Sequence, residues 1–423
     1  TWTGTGSSNP ITGYTFAPDF AWIKARNNAG SHALLDTVRG ASLVLRSDAN
    51  LAETNNTSVF SSFDSDGFTL GADTAQGWTN YNTWTYVGWA WNAGANSSKT
   101  YTVKVVSDSG NKYRFDDFGT SAVTLDLEEG STYVFDQSDS SNSGHPLRFS
   151  TTSDGTHNSG SEYTTGVTTT GTPGSAGAKT TIVVAASAPT LYYYCSVHSG
   201  MGGAANTNST AGASNFDGSL QATVRANQDA GFSICRFTQP TSGSSFSWGH
   251  GLNTAPEFVI MKPTSSSGNW QVYHKGAGTG YMWLNNTIAA TGTGWSTINN
   301  SIVTATATLW GGNYTTVAYC FAPVAGYSAF GTYEGNGDAD GPFVALSFRP
   351  ALVIYKRTDS TADWFMADYK RDGANGDTHD LYANQSYTEN TGSYIDFLSN
   401  GFKIRTSVSN RNASGGDYIY MAW

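Results

Sequence analysis

The residues best suited to chemistry in this chain lie close together near position 195. Cys195, His198 and Met201 are spaced with two residues between neighbours and follow the apolar run 190–195. A thiolate, an imidazole and a thioether from one tight loop, joined by an imidazole from an earlier strand, make the trigonal His2Cys set with a weak axial Met that binds copper. His145, on its own predicted strand 50 residues before Cys195, can supply that second imidazole. The spacing therefore predicts a mononuclear copper site formed by these four residues.

The segment around this motif predicts a small β-sandwich. Seven short runs within residues 98–206 are rich in β-branched and aromatic residues and are bounded by Gly, Ser and Asp, which is typical of strands. They are residues 100–106, 112–115, 123–127, 132–135, 144–149, 180–184 and 190–195. The four-residue motif and the Tyr-Tyr-Cys approach at 193–195 resemble the cupredoxins, the blue-copper family of plastocyanin and amicyanin. The resemblance implies a Greek-key sandwich with copper as its cofactor, used for electron transfer, for metal scavenging or as a metal staple for the domain.

The alternative is a sandwich of this kind without metal. A thiol packs as a small apolar group, so a buried Cys near His is also compatible with an ordinary core. Pro146 after His145 departs from the more usual His-Asn of plastocyanin, which affects the hydrogen bond to the Cys sulfur. Cys235 and Cys320 lie on apolar runs and are predicted to be core residues, whereas His157 lies in a Ser/Gly/Asp loop and is predicted to be solvated.

The composition indicates an all-β protein of several domains. The chain has 423 residues, of which 13% are charged and 13% aromatic, with 48 glycines. An average soluble protein has about 25% charged residues, and surface helices need the Lys, Glu, Arg and Leu that are scarce here. The net charge of −10 and the lack of a Lys/Arg cluster argue against nucleic-acid binding. The apolar runs are strand-sized, so we expect no membrane-spanning helix.

A repeat occurs three times in the chain. Each copy has a Pro, a Lys six residues later, a His or Trp eight residues after the Lys, and a polar residue four positions further on. The sets are Pro18, Lys24, His32 and Asp36; Pro256, Lys262, Trp270 and His274; and Pro350, Lys356, Trp364 and Asp368. Each copy ends on an aromatic run, at 86–91, 316–321 and 418–423. We interpret the recurring residues as packing groups and as Asp–Arg pairs that fix a turn with Arg39 and Arg371, against the alternative of a ligand site in each copy.

These patterns divide the chain into four predicted domains. Repeat 1 covers residues 1–97, the cupredoxin-like domain 98–206, a linker with repeat 2 covers 207–325, and repeat 3 covers 326–423. Each repeat is predicted to be a two-sheet antiparallel sandwich, similar to a jelly roll. Residues 204–214, rich in Ala, Asn, Ser and Thr, are predicted to be a flexible linker.

No motif for catalysis stands out. The chain has no nucleophile elbow, zinc-protease helix, P-loop or dinucleotide glycine pattern. Residues 336–341 read like the start of a calcium loop, but the twelfth position is Ser347 and not Glu, so we predict a turn capped by Asx side chains. We therefore expect that the protein is not an enzyme.

The repeat resembles modules of tail fibres and other virion structural proteins of tailed bacteriophages, especially marine ones, in residues 16–24, 63–68 and 218–232. The resemblance implies a component of the virion exterior that contacts other virion proteins and assembles as a homo-oligomer, with a trimer expected. Aromatic, Asn and Asp side chains on a surface of low charge suit host glycans, so we expect host-surface adhesion. The alternative function is a secreted or cell-surface copper-binding electron-transfer protein. A glycan-active enzyme is the weakest hypothesis, because no acid–base pair stands out.

Overall fold

The structure is a computed structural model that describes residues 1–94, 97–207, 211–241, 244–306, 310, 312–371, 375 and 379–423. Strands make up 42% of the chain and helices 3%, which confirms the all-β prediction. The chain divides into two units. Unit 1 contains Thr1–Ala93, Asn227–Phe246 and Leu252–Trp423, and unit 2 contains Gly94–Ala226 and Ser247–Gly251. Among the described residues, no helix has the length and apolarity needed to cross a membrane.

The strands follow the chain in four groups. Repeat 1 contains β1 (Trp2–Thr3), β2 (Asn9–Thr12), β3 (Phe20–Ala25), β4 (Ala33–Asp36), β5 (Leu43–Val44), β6 (Thr54–Asn55), β7 (Phe60–Asp64), β8 (Gly67–Leu70) and β9 (Thr85–Trp91). The next group is β10 (Lys99–Ser107), β11 (Asn111–Phe115), β12 (Leu125–Asp126), β13 (Thr132–Asp136), β14 (Leu147–Ser150), β15 (Val167–Thr170), β16 (Lys179–Val183), β17 (Leu191–Cys195), β18 (Gly203–Asn206), β19 (Ala213–Asn215) and β20 (Ala222–Asn227). Repeat 2 follows with β21 (Phe232–Thr238), β22 (Phe246–Gly249), β23 (Phe258–Pro263), β24 (Gln271–His274), β25 (Met282–Trp283), β26 (Trp295–Ile298), β27 (Ile302–Ala305) and β28 (Thr315–Phe321). Repeat 3 contains β29 (Ala329–Glu334), β30 (Phe343–Ala345), β31 (Leu352–Arg357), β32 (Phe365–Asp368), β33 (His379–Tyr382), β34 (Asn390–Thr391), β35 (Ile395–Leu398), β36 (Gly401–Ile404), the single-turn helix α1 (Ser409–Asn412) and β37 (Asp417–Ala422).

The three repeats share one topology. In the main sheet of each repeat, neighbouring strands follow the same spatial order. The first strand of the repeat pairs with its last strand, which pairs with the strand that follows the repeated Pro, and that strand pairs with the next strand along the chain. These four strands are β1-β9-β3-β4 in repeat 1, β21-β28-β23-β24 in repeat 2 and β29-β37-β31-β32 in repeat 3. Beyond the fourth strand, the sheet continues with β25 in repeat 2 and with β33-β34 in repeat 3. A smaller sheet packs on each, formed by β2-β8-β7 in repeat 1, by β30-β36-β35 in repeat 3 and including the pair β26-β27 in repeat 2. All of these pairings are antiparallel, as the sequence predicts.

The strand that follows the repeated Pro is buried on both faces. Side chains alternate along a strand, so Phe20 and Trp22 of β3 enter a core shared by the three repeats, while Ala21 and Ile23 enter the core between the two sheets of repeat 1. Strand β31 of repeat 3 alternates in the same way. This double burial explains why these strands read as continuous apolar runs.

The three repeats close a ring around their shared core. Trp91, Phe321 and Trp423, one from the end of each repeat, contact one another with ring centroids 5.3–5.9 Å apart. The His or Trp side chain eight residues after each repeated Lys also forms a hydrogen bond with a main-chain carbonyl of another repeat. These bonds are His32 Nε2 to Tyr382 O at 2.8 Å, Trp270 Nε1 to Arg46 O at 2.8 Å and Trp364 Nε1 to Trp283 O at 2.9 Å. Each repeat donates once and accepts once, which confirms a packing role for these rings.

The remaining repeated residues are also structural. Asp36 pairs with Arg39 at 2.5 Å and Asp368 with Arg371 at 2.6 Å, which confirms the predicted Asp–Arg pairs. The three repeated lysines are fully buried, and each Nζ donates to a main-chain carbonyl. These bonds are Lys24 to Ala25 at 2.7 Å, Lys262 to Pro263 at 2.8 Å and Lys356 to Ala362 at 2.7 Å.

Unit 2 contains a sandwich of two sheets, ordered β11-β10-β13-β16-β15 and β12-β18-β17-β14, whose inner faces share an aromatic core. Strand β14 begins at Leu147, so His145 lies in the preceding turn and not on a strand as predicted. Strand β15 was not predicted. The predicted linker 204–214 instead includes the end of β18 and the start of β19, while residues 208–210 lie outside the described part.

Candidate metal centre

Three strands of unit 2 position the predicted copper ligands. Strand β14 pairs with β17 so that Leu147 lies opposite Cys195, and β17 pairs with β18 so that Tyr193 lies opposite Gly203. The chain must therefore reverse between Cys195 and Gly203. A Cβ on Gly202 would lie 1.7 Å from the Tyr193 carbonyl oxygen, so the reversal requires glycine there. His198 and Met201 are held in this short reversal.

The turn that carries His145 is fixed through its main chain. The His145 N–H donates to Asn142 O at 2.8 Å. Its carbonyl accepts from Gln137 Nε2 at 2.8 Å and from the Tyr113 hydroxyl at 2.9 Å. Gln137 Oε1 also accepts from the Leu147 N–H at 3.1 Å, so one buried amide joins the turn to the start of β14. These bonds hold the His145 ring next to the end of β17.

The structure brings the two histidines and the cysteine together. Cys195 Sγ lies 3.9 Å from His145 Nδ1 and 3.8 Å from His198 Nδ1. The two imidazole centroids are 4.6 Å apart, and one ligand atom from each of the three residues falls within 4.8 Å of the others. The three residues predicted from the spacing therefore converge in space, although 50 positions separate His145 from Cys195.

These distances suit a shared metal ion. At bond lengths of about 2.3 Å to a thiolate and about 2.1 Å to an imidazole, a trigonal first-row ion separates sulfur from nitrogen by about 3.8 Å. Hydrogen bonds also fit these distances, because the thiol can donate to one imidazole nitrogen and accept from an N–H of the other imidazole. A His2Cys set is the donor chemistry of mononuclear copper.

Burial differs among the four candidate ligands. Cys195 and Met201 are buried and belong to the same cluster of core side chains, His145 is half-buried and His198 is exposed. Burial, followed by the nearby His198, lowers the pKa of His145 below its ordinary value. A lowered pKa favours the neutral imidazole, which is the form that binds metal. The site thus has two buried sulfur atoms and one imidazole at the surface.

Sequence reasoning missed three neighbours of this site. Tyr113 and Gln137 bond to the His145 carbonyl, as described above. The ring of His157 is exposed, as predicted, but its Nε2 also lies 2.9 Å from the Cys195 carbonyl. Each of these side chains bonds to the main chain, and such a bond leaves no pattern of residue types that a sequence could show.

The other residues singled out in the sequence have structural roles. Cys235 and Cys320 are buried on β21 and β28, as predicted. In the segment that resembles a calcium loop, Asn336 Oδ1 accepts from the Asp338 N–H at 3.0 Å and Asp338 Oδ1 from the Asp340 N–H at 2.9 Å. The segment is therefore a run of Asx-capped turns, as predicted.

A second concave region lies in unit 1. It is a cavity of about 540 Å³, lined by Thr15, Phe16, Asn92, Asn227, Asp229, Ala230, Val324 and Tyr327. Phe16 and Tyr327 supply aromatic surface, and the Tyr327 side chain is 42% exposed. Asn227 Nδ2 donates to Asn92 Oδ1 at 2.7 Å, which fixes the two amides relative to each other.

Comparison with known proteins places most of the chain in one family. No curated protein matches the chain, and no solved structure matches it. Residues 1–116 and 204–423 match a family, and the candidate copper ligands lie in the segment 117–203 between the two matched stretches. The chain therefore belongs to the family described as Domain of unknown function (DUF7483).

Proposed function

We propose that unit 2 binds one copper ion through His145, Cys195, His198 and Met201, and that the site serves electron transfer. The observation that carries this proposal is the approach of two Nδ1 atoms to one sulfur at 3.8 and 3.9 Å. Copper held by such a donor set, with a weak axial thioether, accepts and releases a single electron.

The residues of the chain favour such a role in two ways. The paired strands and the bonds to the His145 carbonyl fix the ligands before any ion arrives, so little rearrangement is needed when the charge of the site changes. Burial of Cys195 and Met201 keeps water from their sulfur atoms, while the exposed His198 ring offers an edge that a redox partner can approach.

The test is a titration of the full chain with Cu(II), followed by metal analysis and visible spectroscopy. We expect one copper per chain and an intense blue band from the thiolate. The Cys195→Ser variant should lose the band, whereas His157→Gln, which changes a neighbouring histidine outside the ligand set, should keep it. A folded wild-type protein that takes up no copper would contradict the proposal.

We further infer that the repeats form a structural component of a virion exterior, with a role in host-surface adhesion. The resemblance of the repeats to tail-fibre modules suggests this function. It is supported by the ring of three sandwiches, in which every repeat is bonded to the other two and contributes to one core. Immunolabelling of purified phage particles tests the location, and analytical ultracentrifugation tests the proposed homotrimer, which a monomer at high concentration would contradict.

The cavity lined by Phe16 and Tyr327 supports the proposed adhesion to glycans. Aromatic faces such as those of Phe16 and Tyr327 pack on the apolar face of a sugar ring, and amide and carboxylate groups bond to its hydroxyls. Hydrolysis of a glycosidic bond generally needs two carboxyl groups. Among the described residues that line the cavity, Asp229 is the only one with a carboxyl group. We therefore propose binding of a glycan without cleavage.

A further inference from the structure

Tyr113 on β11 contacts the segments that carry three of the four proposed copper ligands. Its main-chain N–H donates to Met201 O at 3.0 Å and its hydroxyl donates to His145 O at 2.9 Å. The Tyr113 ring centroid lies 6.4 Å from that of Tyr193, on the strand that ends at Cys195, and Tyr113 and Cys195 belong to one cluster of core side chains. The tyrosine side chain is fully buried, so water does not compete for these contacts.

We infer that Tyr113 is a positioning residue whose hydroxyl donates a hydrogen bond to the Cys195 sulfur in the copper-loaded protein. This inference rests on the proposed copper site. It adds a control of the reduction potential by a residue outside the ligand set, because hydrogen bonds around the Cys sulfur tune the potential of such sites.

The hydroxyl is free to change its acceptor. A tyrosine has one hydroxyl hydrogen, and here it points to the His145 carbonyl. That carbonyl also accepts from Gln137 Nε2 at 2.8 Å, so it keeps a donor if the hydroxyl turns away. Metal binding converts the Cys195 thiol to a thiolate. Hydrogen bonds to a charged acceptor are roughly twice as strong as those between neutral groups, so the sulfur then becomes the better acceptor.

The main chain next to His145 offers no replacement for this donor. Pro146 follows His145 and has no N–H to donate to the sulfur. The Pro146 carbonyl instead accepts from the Ser196 N–H at 3.1 Å, which joins the His145 turn to the residue after Cys195. Tyr113 is thus a hydroxyl donor that the fold packs into the same core cluster as the Cys195 side chain.

The test compares Tyr113→Phe with wild type in the full chain. The change keeps the ring and removes only the hydroxyl. We expect one copper per chain as before, a lower reduction potential, a shifted thiolate band and a Cu(I) affinity about 10–100-fold weaker in competition with a chelator. A donor to the sulfur draws electron density from it and favours the reduced ion, so its loss favours the oxidised ion.

Tyr101→Phe is the matched control. Tyr101 is also fully buried in unit 2, and its hydroxyl bonds to a carbonyl remote from the ligands, Ser214 O, at 2.8 Å. This variant should keep the wild-type potential and affinity. If Tyr113→Phe has the wild-type potential and Cu(I) affinity, the role of Tyr113 is wrong while the copper site stands. If wild type takes up no copper, both proposals are wrong.

A second variant tests the same inference in case Tyr113→Phe does not fold. Gln137→Leu removes the other donor to the His145 carbonyl, so the Tyr113 hydroxyl should stay with that carbonyl and leave the sulfur. We expect the reduction potential of this variant to fall as well. A potential equal to that of wild type in Gln137→Leu would contradict the exchange of acceptors.

Discussion

Trp89 of repeat 1 donates its indole N–H to the Asp368 carboxylate of repeat 3 across 3.2 Å. The equivalent positions of the other repeats bond in the same cyclic order. These bonds are Tyr319 Oη to Asp36 Oδ2 at 2.7 Å and His274 Nε2 to Tyr420 O at 3.0 Å. In repeat 3, the position equivalent to Trp89 is Met421, whose side chain has no hydrogen-bond donor. The change from Asp to His at 274 therefore matches its partner, because an imidazole N–H can use a main-chain carbonyl.

The cyclic order shows how three different sequences form one ring. Each repeat contacts one neighbour through its last strand and the other neighbour through the polar residue at the position of Asp36, His274 or Asp368. This is a head-to-tail contact that closes after three steps. Because the repeats lie on one chain, each contact can use its own donor and acceptor. Identical subunits would have to use the same pair at every interface.

Tyr319→Phe tests the contribution of one such contact. The substitution keeps the buried ring and removes the hydroxyl that donates to Asp36. The buried carboxylate then loses one of its donors, and we expect the free energy of unfolding to fall by about 1–3 kcal/mol in denaturant titrations. Tyr387→Phe is the control, since the Tyr387 side chain is 57% exposed and its hydroxyl can bond to water. Equal losses in the two variants would contradict this account.

Lys262→Met should stabilise the protein at neutral pH. Lys262 is fully buried, and burial lowers its pKa to about 7 from the ordinary 10.5, with Glu53 opposing the shift. Because the pKa of this lysine is lower in the folded protein than in the unfolded chain, the stability that is present above pH 10.5 is lost as the pH falls towards 7. Met has a similar shape without the charge, so we expect the free energy of unfolding at pH 7 to rise by about 1–4 kcal/mol.

The pH dependence separates this effect from a gain in packing. The difference between Lys262→Met and wild type should shrink between pH 7 and pH 10, when measured by denaturant titration. Lys275→Met is the control, because the Lys275 side chain is 64% exposed and forms a surface ion pair with Glu257. A gain of the same size at both pH values would show that removal of the charge is not the cause.

The sequence predicted the parts of this structure that depend on local pattern. Cys195, His198 and Met201 are close in the chain, so the spacing alone placed them in one loop. The shared core of the three repeats was missed, because the continuous apolar run of β3 predicts burial without showing that Ala21 and Trp22 enter different cores. Tyr113 was missed because a hydroxyl that bonds to a main-chain carbonyl is set by the fold and not by spacing.

His274→Gln should reduce the loss of stability in acid. The Gly276 N–H donates to His274 Nδ1 at 3.0 Å, so Nε2 carries the hydrogen that is donated to Tyr420 O. Burial lowers the pKa of His274 to about 4. The unfolded chain takes up a proton near pH 6.5 and the folded chain does not, so stability falls as pH drops from 6.5 to 4, by up to about 3 kcal/mol for this residue.

Gln keeps one acceptor and one donor but does not titrate. Denaturant titrations at pH 7, 5 and 4 should therefore show a shallower decline for His274→Gln than for wild type. His157→Gln, which changes an exposed ring, is the control and should decline as wild type does. An equally steep decline in both variants would assign the acid sensitivity to other groups.

Tyr327→Ala tests whether the cavity lined by Phe16 and Tyr327 binds sugars. The probes are methyl α-glucoside, methyl β-galactoside and N-acetylglucosamine, with binding to the full chain followed by saturation-transfer NMR. We expect at least one probe to bind to wild type, and its affinity to fall about tenfold in Tyr327→Ala, because a stacked aromatic face contributes about 1–1.5 kcal/mol. Tyr387→Ala removes a more exposed tyrosine outside the cavity and should bind as wild type does. If none of the three sugars binds, or if both variants lose binding equally, the cavity is not the adhesion site. In that case, the adhesion proposal loses the structural feature that supports it, while the copper site in unit 2 is unaffected.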